Sequence, residues 1–227
     1  MQFYNEEQAI RVCLEKPNMI FGLIKEGYIE VVDKILSLDK SIINTTDSEG
    51  NNVMMALLNK KSYDLVLKNM KNKDWDVNHQ NDSGNTFSHI LVTLNYLKVL
   101  NILEKLKKNK KFIPNIKNNR GETILDRAVL TNNLCTAIKI LDDNRFNDID
   151  VLSFKYMYDK YINNSYYGIY SKINNFEIII EKIGKKDKLK PNMKKLLRVI
   201  TTNIDVIKND ILVNKTNNMD IIINSFI

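Results

Sequence analysis

Apolar positions along the chain come in short runs, and the runs recur. Val53, Met54, Leu57 and Leu58 make one; Phe87, Ile90, Leu91 and Val92 the next; Ile124, Leu125, Ala128 and Val129 a third. A polar break follows each: "NKKS" from Asn59, "LNY" from Leu94 and "TNN" from Thr131. A second apolar stripe follows each break: Leu65, Val66 and Met70; Val99, Leu100 and Leu103; Ile138, Ile140 and Leu141. Spacings of three and four put each set on one face of a helix. The predicted unit is helix, turn, helix, then a polar loop rich in Asn, Asp and Gly.

Two markers share one beat. Aligned on glycine, the loops read "DSEGNNVMMALL" (Asp47–Leu58), "NDSGNTFSHILV" (Asn81–Val92) and "NNRGETILDRAV" (Asn118–Val129). Gly50 and Gly84 are 34 positions apart, Gly84 and Gly121 37. Asn44 in "IIN", Asn78 in "DVN" and Asn115 in "IPN" keep the same two intervals. Independent markers on a common period are the signature of stacked structural repeats. An earlier unit shows its second half in "KEGYIEVVDKIL", with Gly27, Val31, Val32, Ile35 and Leu36.

This grammar resembles the ankyrin repeat, which reads roughly D-x-x-G-x-T-P-L-H-x-A-A, then a second apolar stripe and D-V-N. Gly84, Thr86 and His89 match it, as do Gly121, Thr123, Leu125 and Ala128, and Asp76, Val77 and Asn78. The likeness covers about residues 18–141. The proline after threonine is replaced by Val53, Phe87 and Ile124, and histidine survives only at His89. The resemblance implies an all-α solenoid of stacked helix-turn-helix units that binds another protein. It also implies structural roles for the motif: glycine at positive φ, threonine capping the next helix, and His89 bridging neighbouring loops.

The expected organisation is a capping helix from Asn5 with Glu6 and Glu7 in its first turn, repeats over residues 1–145, and a helical cap or extension over 146–227 that includes a decayed repeat or forms a module of its own. In that second part Phe154, Met157, Tyr158 and Tyr161 make one stripe, and Leu196, Leu197, Val199 and Ile200 belong to another. The dense tyrosines of "YMYDKYINNSYYGIY" suit either a core or an interface.

Composition fits a helical protein: 227 residues, 44% hydrophobic, with only Gly 7 and Pro 3. No apolar run is long enough for a membrane span, and the N-terminal stretch does not read as a secretory signal. Cys13 and Cys135 lie in helix-like patterns without metal spacing and are expected as reduced core thiols of a cytoplasmic protein. His79 and His89 are the two histidines, with no ligand partners at metal spacing. Phosphate-loop, zinc-protease, serine-hydrolase and kinase motifs are absent. Neither catalysis nor a cofactor is expected.

The net charge of +7 is concentrated in one place. Lys182–Arg198 holds Lys182, Lys185, Lys186, Lys188, Lys190, Lys194, Lys195 and Arg198 against one Asp, and the rest of the chain balances. Such a run is either a solvated lysine loop or an attractor for nucleic acid or another anionic surface. It lacks interleaved aromatics and has one arginine, which argues against base reading. A second cluster, Lys105, Lys107, Lys108, Lys110 and Lys111, is expected in an exposed loop lengthened by the longer repeat.

The leading expectation is a non-enzymatic protein-binding module. Its loop tips are Ser48, Glu49, Asn51, Asp82, Ser83, Asn85, Asn119, Arg120 and Glu122. Asn59, Lys60, Thr93, Leu94, Leu130 and Thr131 end the inner helices and continue that face. The alternative is a nucleic-acid or anionic-surface binder using residues 182–198. The resemblance, with an Asn-, Lys- and Ile-rich composition, suggests a viral or bacterial effector acting in a host cytosol.

Overall fold

The computed structural model describes residues 5–94, 97–131, 133–143, 145, 151–152, 154–155, 158–159, 169–186, 189–213 and 217–227. Among them the chain is all-α, and its only β pairing is two isolated bridges. It divides into two compact units, Met1–Glu122 and Thr123–Ile227.

The first unit opens with α1 (Glu6–Glu15). Asn5 starts it by accepting a hydrogen bond from the Gln8 N–H at 2.8 Å, which satisfies an otherwise orphan donor. Helix pairs follow: α2 (Ile20–Glu26) and α3 (Ile29–Leu38), α4 (Val53–Asn59) and α5 (Tyr63–Asn69), α6 (Phe87–Leu91) and α7 (Leu97–Lys107). Within each pair the helices pack together, and α2 packs on α4 and α4 on α6. The first helices therefore form one row.

That row carries the core. Val53, Met54, Met55, Leu57 and Leu58 of α4 are all fully buried, so both faces of this helix are covered. Trp75, in the loop after α5, lies edge-on to Phe87 with ring centroids 5.1 Å apart. On the second helices, Lys68 of α5 pairs with Asp33 of α3 at 2.6 Å, and Lys98 of α7 with Asp64 of α5 at 3.1 Å. These exposed pairs keep the repeat's register but contribute only about 0–1 kcal/mol each.

The longer repeat lengthens a helix rather than a loop. α7 runs for 11 residues against 7 in α5, because Leu106 extends the buried stripe of Val99, Ile102 and Leu103. Lys105 and Lys107 are therefore helical, and Lys107 is half-buried beside Glu104. The expected exposed lysine loop is shorter than its sequence suggests.

The second unit holds α8 (Ile124–Leu130), α9 (Leu134–Leu141), α10 (Ile169–Gly184), α11 (Pro191–Thr202), α12 (Ile204–Leu212) and α13 (Asn217–Asn224). α8 packs on α9, and α10 packs on α9, α11 and α12. α11 buries Met193, Leu196, Leu197 and Ile200 on one face. Phe154 and Tyr158 are buried, with Tyr158 edge-on to Phe176. Met157, Tyr161, Tyr166 and Tyr167 lie outside the described residues. Cys13 is buried in α1, which pushes its thiol pKa up; the Cys135 side chain lies outside the described residues.

Candidate functional site

Three loop tips are built to one plan. In each, an Asp or Asn accepts two main-chain N–H groups through Oδ1. Asp47 takes those of Glu49 and Asn51, both at 2.9 Å. Asn81 takes Ser83 and Asn85 at 3.1 and 3.0 Å, and Asn118 takes Arg120 and Glu122 at 2.9 and 3.0 Å. The glycine that ends each turn sits at φ 73°, 71° and 75° in chain order. That left-handed conformation is open to glycine and costly for side chains.

The tips are joined by main-chain hydrogen bonds. The Asp82 N–H donates to Glu49 O, and the Asn119 N–H to Ser83 O, each at 3.1 Å. Side chains repeat the step: Asn81 Nδ2 donates to Asn51 Oδ1 at 2.8 Å, and Asn118 Nδ2 to Asn85 Oδ1 at 2.9 Å. Packing is close enough to require glycine. A Cβ on Gly50 would lie 2.9 Å from Asp82 N, and one on Gly84 2.6 Å from Asn119 N.

The second sequence marker has its own task. Asn44 Oδ1 accepts from the Asp76 N–H at 2.9 Å, while its Nδ2 donates to Asp74 O at 2.5 Å. Asn78 repeats this one unit later, accepting from the Ile113 N–H at 2.9 Å and donating to Lys111 O at 2.7 Å. Each amide thus stitches the end of one unit to the end of the next.

Both histidines are structural in their contacts. His89 Nδ1 accepts from the Thr86 N–H at 3.2 Å, closing a capping box on α6, and Nε2 donates to Glu122 O at 3.0 Å. That assignment follows from the acceptor-only carbonyl. His79 Nε2 donates to Gly50 O at 2.7 Å. At the start of α8 the same cap is made by a different pair: Asp126 Oδ2 accepts from the Thr123 N–H at 2.8 Å.

These bonds sort the expected contact residues. Ser48, Glu49, Asp82, Ser83, Asn119 and Arg120 are exposed. Asn51 is buried and spent on the tips, its Nδ2 donating to Asp47 and Glu49. Asn85 and Glu122 are half-buried, and Glu122 Oε2 accepts from Asn118 Nδ2 at 2.8 Å. Thr93 and Leu94 are half-buried, and Thr93 Oγ1 donates to Ile90 O. Leu130 and Thr131 belong to the second unit, where Thr131 Oγ1 donates to Arg127 O.

Below the first tip lies a cleft of about 400 Å³. Phe21, Ile24 and Lys25 of α2 form one side, Ala56 and Asn59 of α4 with Lys60 just after it the other, and Asp47, Ser48, Glu49 and Asn51 the rim. Lys60 Nζ donates to Lys25 O at 2.7 Å, so this ammonium caps the end of α2. The cleft therefore gathers five expected contact residues, Ser48, Glu49, Asn51, Asn59 and Lys60. Sequence reasoning overlooked Phe21, Ile24 and Lys25, whose helix α2 begins outside the clearest glycine repeats, and Ala56 of α4. It also overlooked Asp47, Asn81 and Asn118. Their signal was an Asx residue three positions before a glycine, a turn pattern in its own right.

The basic segment is partly consumed within the second unit. Lys182 pairs with Asp142, and Lys185 pairs with Glu181, whose pKa it holds below the usual carboxylate range. Lys186 is buried and donates to Asp143 O at 2.5 Å. Lys188 lies outside the described residues. Lys190, Lys194, Lys195 and Arg198 are exposed on or just before α11. A second, mainly apolar cleft of about 420 Å³ lies beside Lys190 and Met193.

No protein-family model matches the chain, and no curated protein matches it. Among the described residues, no helix is long and apolar enough to cross a membrane, and no three His, Cys, Asp or Glu side chains group as a metal site.

Proposed function

We propose that the chain is an ankyrin-like repeat scaffold, a non-enzymatic module that holds a partner protein through its loop tips and the first-helix faces beneath them. The supporting observation is the shared register of the tips. Backbone and amide bonds occupy Asp47, Asn81, Asn118 and Asn119 and link successive tips, leaving Ser48, Glu49, Asp82, Ser83 and Arg120 exposed on a fixed frame. Exposed side chains on a rigid frame bind at small ordering cost. Such faces vary without disturbing the core. A host-directed effector acting in a host cytosol fits this design.

One observation favours a second reading, an anionic-surface or nucleic-acid binder. Lys194, Lys195 and Arg198 are exposed on α11 and make no ion pair among the described residues. The test is capture from host lysate with three baits: wild type, Glu49→Ala/Asp82→Ala/Arg120→Ala, and Lys194→Gln/Lys195→Gln/Arg198→Gln. A protein retained by the wild type and the α11 variant but lost with the tip variant supports the scaffold. Loss with the α11 variant alone, together with a steep salt dependence from counterion release, supports the second reading and sinks the first.

A further inference from the structure

We propose that the cleft under the first tip takes a cationic peptide segment: an arginine or lysine against Glu49 and Asp47, with a neighbouring apolar side chain on the floor. This deepens the scaffold reading and rests on it. The floor is Phe21, Ile24 and Ala56; Phe21 and Ala56 are half-exposed and available for contact. The volume, about 400 Å³, falls within the roughly 300–1,000 Å³ of ligand sites, room for a few side chains rather than a folded element.

The charge of the rim selects the occupant. Asp47 and Glu49 flank the buried Asn51 amide, which donates to both at 3.1 and 3.2 Å. Neither carboxylate has a cationic partner among the described residues. A chain of net charge +7 thus places two carboxylates, Asp47 and Glu49, around one amide at this rim. Lys60, one of the two lysines lining the cleft, donates to Lys25 O. A guanidinium fits best, since its fork can meet a carboxylate through two parallel bonds. Lys25, on the α2 side of the cleft, suits main-chain carbonyls or an acidic residue further along the same segment.

The test is selection from a random twelve-residue peptide library displayed on phage, against the immobilised full-length chain. Two variants accompany it. Asp47→Asn/Glu49→Gln removes the rim charge and keeps the turn, because Asn81 and Asn118 make the same turn with an amide. Ala56→Arg fills the floor from a half-exposed position. Melting curves establish that both fold. The expected result is enrichment of peptides with an Arg or Lys beside an aliphatic or aromatic residue, and at least tenfold weaker binding to either variant.

Neutral or acidic peptides that are still lost with Ala56→Arg would overturn the cationic occupant and leave the scaffold reading standing. Peptides indifferent to both variants and lost only with Lys194→Gln/Lys195→Gln/Arg198→Gln would overturn both. A library that yields no binder sensitive to either cleft variant also overturns this assignment.

Discussion

The Asn119 N–H donates to Ser83 O at 3.1 Å, and the same nitrogen would lie 2.6 Å from a Cβ placed on Gly84. Gly84 is thus held by two requirements. Its φ of 71° disfavours any side chain by about 1–2 kcal/mol, and its neighbour across the tip is backbone that cannot swing away. Gly121 shares only the first requirement: φ is 75°, and no described atom lies within 4 Å of its Cβ position. Gly84→Ala is therefore expected to destabilise by about 2–4 kcal/mol and Gly121→Ala by about 1–2 kcal/mol. Urea unfolding of the two variants measures the difference. Equal losses would mean the tips do not press together at Gly84.

Asn78 and Asn44 make the same pair of bonds, but Asn78 is half-buried and Asn44 exposed. Water can replace the partners lost at Asn44 more readily than at Asn78. Removing Asn78 takes two hydrogen bonds from Lys111 O and the Ile113 N–H, and a hydrogen bond contributes about 0.5–1.5 kcal/mol net. Asn78→Ala should therefore lower stability by about that amount per bond, with Asn44→Ala costing visibly less. Amide hydrogen exchange gives a local check: the Ile113 N–H should exchange faster in Asn78→Ala, while the Asp76 N–H remains protected.

Asp39 supplies a pH-dependent cap. Its carboxylate accepts from Ser41 Oγ at 2.7 Å and from the Ser41 N–H at 2.9 Å, and these bonds hold its pKa below the usual range. The folded value is the lower one, so the stabilisation is present above the unfolded Asp value of about 3.9. It fades as pH falls through the folded value. Wild type should melt above Asp39→Ala at neutral pH, and the gap should close in acid below about pH 4. Melting curves from pH 7 to 2 test this; a gap that persists at pH 2 would exclude an ionised cap.

The helix pairs and the glycine turns were legible in the sequence because both are local. Spacings of three and four mark a buried face, and a glycine at positive φ imposes itself whatever lies around it. Other features were local but disguised, or depend on partners distant along the chain. The end of α7 follows the same spacing, Val99, Ile102, Leu103 and Leu106, but Lys105 and Lys107 disguise it as a polar loop. The Thr123–Asp126 cap was readable as T-x-x-D but hidden by the search for histidine at that position. The cleft depends on α2 meeting α4 under the first tip, a meeting between residues about 35 positions apart such as Lys25 and Lys60.

The basic segment shows the same limit most clearly, and it yields the last prediction. As a string, Lys182–Arg198 reads as one patch of equivalent cations. In the fold its members have different work. Lys186 is 3% exposed and donates to Asp143 O just beyond α9, whereas Lys195 stands in solvent on α11. Replacing Lys186 with Ala removes a charge-assisted bond to a carbonyl and leaves a void in the second unit. The expected loss is about 1–3 kcal/mol. Lys195→Ala should stay within about 0.5 kcal/mol, the usual range for an exposed position without partners. On a column of immobilised heparin the order should reverse: Lys195→Ala elutes at lower salt than wild type, and Lys186→Ala, kept below its melting temperature, elutes close to it. If Lys186→Ala left stability untouched and shifted the elution instead, the buried lysine would belong to a binding patch, and the partition of this segment into structural and exposed cations would fail.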